Sequence, residues 1–72
     1  MKNLIITDEN LTEAQKMDLQ IAFENREKSN DWNLDPKKYS KFANNIEEVR
    51  THIQLERMFD YSIPLTSFKV VE

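Results

Sequence analysis

No cysteine occurs anywhere in the chain, so neither a disulfide nor a thiolate metal centre can hold it together. That matters at this length. The 72 residues make one domain spanning 1–72, and folding a chain of this size hides only about 60% of the surface it exposes when unfolded. Such domains are usually reinforced by disulfides, a metal or oligomerisation. Self-association is the remaining reinforcement, and a homodimer is expected. The lack of cysteine also suits a reducing compartment. Glycine is missing too, so turns fall to Asn, Asp, Ser and Pro, and loops that cradle phosphate by close backbone approach are excluded. No run approaches the roughly 20 apolar residues of a membrane span. The opening Met1-Lys2-Asn3-Leu4-Ile5-Ile6-Thr7 is too short, and too soon acidic, for a signal peptide. The expected location is the cytoplasm, with no membrane partner and no cofactor.

What is present is globular in character: 39% hydrophobic and 32% charged residues, with aromatics spread along the chain. The net charge of −3 lies in residues 1–34, which carry seven acidic and four basic side chains, while residues 35–72 carry six of each. One reading is ordinary solubility. The sharper one is an acidic half, with Asp8, Glu9, Glu13 and Asp18, that repels nucleic acid and faces a basic protein surface. The one basic cluster, Lys37, Lys38 and Lys41, makes no DNA-binding stripe.

Leu4-Ile5-Ile6-Thr7 is a β-favouring run closed by Asp8-Glu9-Asn10. Thr12 then caps a helix, with Gln15 placed to complete a capping box, and the helix runs to Arg26 or Lys28. It carries two apolar stripes, Ala14-Met17-Ile21 and Leu19-Phe23, with Ala22 between them. One stripe is usual for a surface helix; two suggest cover on two sides. Residues 29–34 read as loop. Asp35-Pro36 restarts a helix, with Asp as N-cap and Pro at the first helical position, and puts Tyr39 and Phe42 on one face. After Asn44-Asn45 a longer helix is expected from Ile46 to Phe59, again with two stripes: Ile46-Val49-Ile53 and Leu55-Met58-Phe59. Pro64 ends any continuation. Residues 65–71 read as a second strand. The expected fold is α+β: short terminal strands paired, two or three helices on one face, and a dimer that extends the sheet and covers the second stripes, with either the C-terminal strand or the second stripe of the long helix as its contact.

Catalytic signals are sparse. The single histidine, His52, stands between Glu48 and Glu56 at helical spacing. The two carboxylates are two turns apart, about 12 Å along the axis, too far to grip one ion, so a solvated Glu–His–Glu row is expected rather than a metal site. No motif brings Ser29, Ser40, Ser62 or Ser67 to a base. Trp32, Tyr39, Phe42 and Tyr61 read as core or interface aromatics before base-stacking platforms. The chain is expected not to be an enzyme.

One segment carries a resemblance. Gln54-Leu55-Glu56-Arg57-Met58-Phe59 resembles the peptide by which bacterial proteins dock on the replication sliding clamp, where Gln-Leu is followed shortly by a Leu-Phe-like pair. It has one extra residue and Met in place of Leu. The resemblance implies that Leu55, Met58 and Phe59 anchor in a greasy pocket while Gln54 bonds at its rim. The same residues also fit a helix packing into its own core. More broadly, the chain resembles in style the small acidic proteins that phages of low-GC bacteria make to disable host machinery. That likeness implies a non-enzymatic, phage-encoded inhibitor with the sliding clamp as first target. An acidic DNA mimic or inhibitor of a CRISPR nuclease is the alternative, and a structural or assembly subunit is a third.

Overall fold

The computed structural model describes residues 2–29 and 46–72. The helix restart at Asp35-Pro36, the aromatics Trp32, Tyr39 and Phe42, and the lysines Lys37, Lys38 and Lys41 lie outside the described residues. Along the rest run strand β1 (Asn3–Ile6), helix α1 (Glu13–Glu24), a 3-10 turn (Arg26–Ser29), helix α2 (Ile46–Phe59), a second 3-10 turn (Leu65–Ser67) and strand β2 (Phe68–Val71). The strands pair antiparallel, with Leu4 opposite Val70 and Ile6 opposite Phe68. The α+β fold expected from the sequence is therefore the fold observed. The second strand starts later than expected, because residues 65–67 coil into the 3-10 turn.

Side-chain alternation decides which face of the ribbon the helices cover. Phe68 and Val70 are buried while Lys69 and Val71 point out. Leu4 and Ile6 share the inner face at half burial, and Ile5 is 46% exposed on the outer one. Among the described residues the helices thus cover the inner face.

Both ends of α1 and the C-terminal end of α2 have a local cause. Thr12 accepts from the Gln15 amide at 3.1 Å, and Gln15 Oε1 accepts from the Thr12 amide at 2.8 Å, so the capping box forms as the sequence predicts. At the other end of α1, the Asn25 side-chain amide donates to the Ile21 carbonyl at 2.8 Å. Helix α2 stops at Asp60, which takes φ of 60°. That left-handed position usually goes to glycine; in a chain without glycine, Asp tolerates it better than a branched residue.

Helix α2 is the centre of the fold. Val49, Thr51, His52, Gln54 and Leu55 are all buried. At 100° per residue they span roughly 220° of its circumference. Around it lie α1, the first 3-10 turn and β2. The apolar cluster joins Ala22 of α1, Leu55 of α2 and Ile63, with Leu11, Phe59 and Tyr61 at its margin.

This wrapping corrects one expectation. His52 is 6% exposed, not part of a solvated row, because its side of α2 faces the interior. Glu48 is not solvated either: its Oε2 accepts from the Val70 backbone amide at 2.8 Å. Glu56 lies 3.7 Å from His52 Nδ1. Among the described residues no group of three metal-binding side chains assembles.

Candidate functional site

The first two residues of the clamp-like segment are interior. Leu55 has no exposure and Gln54 only 5%, while Phe59 is half-buried against the core. Of the four residues that carry the resemblance, Met58 alone is exposed, at 42%; Arg57 beside it is exposed as well. In the folded chain, Leu55 and Gln54 do not reach a partner's pocket, and the segment is helical rather than extended. The apolar spacing that resembles a docking peptide is satisfied within the chain by α1 and Ile63.

The four acidic residues divide into two kinds. Asp8 and Asp18 are half-buried and engaged. Asp8 accepts from the Asn10 amide at 2.9 Å and from Ser67 Oγ at 3.2 Å, tying the end of β1 to the turn before β2. Asp18 accepts from Tyr61 Oη at 2.9 Å. Glu9 and Glu13 are exposed, with Glu13 paired to Lys16 at 3.4 Å. Glu24, which helical spacing puts on the polar side of α1 with Lys16 and Gln20, and Glu27, which the sequence did not mark, extend the exposed acidic set along the same helix and the turn after it.

The two stripes of α1 have separate fates. Leu19, Ala22 and Phe23 are buried. Ala14 is exposed, Ile21 is half-buried, and Met17 is 65% exposed, the most open of the large apolar side chains described. By helical angle Met17 stands opposite the core face, and Glu13, Gln20 and Glu24 flank it on one side. The result is an outward apolar strip with an acidic border. The sequence marked both stripes but did not say which one the fold would leave open.

A recess elsewhere on the described residues is an open depression of about 230 Å³ lined by Glu56, Asp60, Tyr61 and Ser62. That is below the few hundred cubic ångströms of a typical ligand site. His52 is not among its lining residues.

Tyr61 is perturbed there. Burial comes first, and the hydrogen bond to Asp18 and that residue's negative charge act the same way, raising the phenol from 10.0 to about 12. The folded state therefore holds the Tyr61 proton more tightly than the unfolded chain. Its contribution to stability is complete below pH 10 and is lost as pH rises from 10 towards about 12. In a Tyr39→Phe background the absorbance of tyrosinate should titrate near 12 in the native protein. Adding Tyr61→Phe should flatten the alkaline fall in melting temperature. A native titration at the ordinary value would remove the Tyr61–Asp18 bond from the account.

No protein-family model matches this chain, and neither a curated protein nor a solved structure is similar to it at a significant level. No described helix is long and apolar enough to cross a membrane.

Proposed function

We propose that this chain is a non-catalytic inhibitor of the phage type, which acts in the bacterial cytoplasm by docking the outer strip of α1 on a protein that holds DNA. The observation that carries this reading is Met17, 65% exposed in an apolar strip that Glu13 and Glu24 border on one side. Isolated apolar residues on a surface are ordinary. A strip at helical spacing with an acidic border matches the surface of a partner with an apolar centre and a basic rim. Proteins that hold DNA carry such basic surfaces, because they neutralise phosphates with Lys and Arg. The sliding clamp is the first target of this class and a CRISPR nuclease the second. The buried state of Gln54 and Leu55 directs either contact to α1 rather than to the clamp-like segment.

Binding of the intact chain to purified clamp and to purified nuclease tests this, with Met17→Lys and Met58→Lys as paired variants. Both positions are solvent-open, so both variants should fold. Met17→Lys is expected to weaken binding at least about tenfold, the loss of about 1.4 kcal/mol that one buried apolar anchor supplies, and Met58→Lys to change little. Binding should also weaken as salt rises. If Met58→Lys abolishes binding and Met17→Lys does not, the α1 surface is wrong and the docking-peptide reading returns. If the unmutated chain binds neither protein, both named targets fall.

A further inference from the structure

The two edges of the sheet differ. The Thr7 amide donates to the Ser67 carbonyl at 2.9 Å, and the Val70 amide donates outward to Glu48 at 2.8 Å. In an antiparallel ribbon, backbone groups point alternately into the ladder and away from it. These two bonds fix the phase. Thr7 and Ile5 bond into the ribbon, and the amides and carbonyls of Leu4 and Ile6 point away from β2. On β2 the outward edge is closed by α2 through Glu48. On β1 no further strand follows, since the sheet among the described residues has the order β1–β2 and nothing more.

The geometry points to β1 as the homodimer contact: two copies pair antiparallel along β1, around a twofold axis at Ile5, and make one four-stranded sheet. This contact is independent of the α1 surface and is measured without any partner protein. Residue pairing argues for it. An axis at Ile5 sets Ile5 against Ile5 of the second copy, Leu4 against Ile6 and Asn3 against Thr7. Just beyond the paired residues it sets Lys2 of each copy opposite Asp8 of the other, opposite charges at both ends, with the Asp8 carboxylate keeping its bonds to the Asn10 amide and Ser67 Oγ. The hydrogen-bonding phase agrees, because Leu4 and Ile6, whose backbone groups point outward, become the bonded pairs. Moving the axis to Leu4 puts Ile6 against Lys2, and moving it to Ile6 puts Leu4 against Asp8; both set apolar residues against charge. Lys2 pairs with Glu72 within the chain at 3.1 Å and remains accessible, with 38% of its side chain exposed. The contact also widens the sheet. An isolated two-stranded ribbon is marginal in water; this one is held by the helices on its inner face, and pairing adds strands beside it. Ile5 at 46% and Val71 at 40% exposure lie on the outer face, where pairing would bring the two Ile5 side chains together.

The absence of cysteine allows a clean test. Ile5→Cys places one thiol per chain on an exposed face. At a non-hydrogen-bonded antiparallel pair the Cα atoms lie about 4.5 Å apart, within disulfide range. Lys69→Cys is the control, on the same face but one strand further out, so its twin would be three strand spacings away, about 14 Å. In mild oxidant at micromolar protein, Ile5→Cys should form a disulfide dimer on the order of a hundredfold faster than Lys69→Cys, the ratio of effective to bulk concentration. Its circular dichroism should be unchanged. The unmutated chain should sediment at twice 8.6 kDa at the same concentration. Equal cross-linking rates for the two thiols would overturn the contact. So would a mass of 8.6 kDa up to the highest soluble concentration, which would leave the β1 edge to a strand of some other protein.

Discussion

Replacing Leu55 by alanine is expected to cost about 2–5 kcal/mol of folding stability. A domain of 72 residues has on the order of 4–11 kcal/mol to lose. Leu55 has no exposure and meets Ala22 of α1 and Ile63 of the segment before β2, so its removal opens a void where three parts of the chain converge. Alanine is the better helix former, so propensity works against the effect and the whole loss is packing. Met58→Ala, three residues on and 42% exposed, should stay within about 1 kcal/mol. Urea unfolding checks both. The Leu55→Ala midpoint should fall sharply while the slope stays constant, since the same surface is exposed on unfolding. The same pair of variants bears on the docking peptide. A Leu55→Ala protein that melts like the parent but loses a binding partner would mean that Leu55 is a contact residue and that this packing is wrong.

What the sequence made legible was local. The capping box at Thr12 and Gln15 needs only four residues, and it forms as the spacing requires. The β-forming residues of 65–71 predict a strand, and Phe68–Val71 form it, with Phe68 and Val70 buried. Terminal pairing followed because two short strands have no other partner. Questions of facing were not legible. The stripes Leu19-Phe23 and Ala14-Met17-Ile21 are both apolar, and periodicity gives no reason to bury one and expose the other. The fold buries the stripe with Phe23 and with Ala22 beside it. The small alanine lets α2 approach there, and the choice is made by α2 and not by α1. The His52 row failed for a related reason. Charges at helical spacing read as a solvated face, but α2 is enclosed on most sides, so Glu48 and His52 turn inward and Glu48 finds a strand amide. Tyr61 and Asp18 are 43 residues apart, and no window of sequence joins them. The candidate site shares this limit: its apolar residues and acidic border were visible as a list, and only the fold put Met17 outside and Asp18 against Tyr61.

Glu47 is where the second large effect is expected. Its carboxylate accepts from Arg26 Nε and lies 3.5 Å from Arg50 Nη1, joining the end of α1 to the first turn of α2. Arg26 is held on two further sides, by the Phe23 carbonyl at 2.8 Å and by its guanidinium 4.2 Å from the centre of the Phe23 ring. These side chains are only 16–27% exposed. Arg50 Nε is already buried without a hydrogen-bond partner among the described residues. Taking away the carboxylate would leave two arginines facing each other with the shared anion gone. Exposed ion pairs contribute about 0–1 kcal/mol, and stripping one partner from a fully buried pair costs about 3–5. The intermediate burial here places Glu47→Ala at about 2–3 kcal/mol, including the lost anion at the positive end of the α2 dipole. Glu47→Gln should fall between that variant and the parent, since it keeps an acceptor and loses the charge. Pairing Glu47→Ala with Arg26→Met separates the parts, because Met keeps an unbranched stem over Phe23 and removes the cation. A coupling energy on the order of 1–2 kcal/mol is expected from that cycle. A coupling near zero, with Glu47→Ala melting as the parent does, would mean that α1 and α2 are joined by the apolar contacts of Ala22 and Leu55 alone.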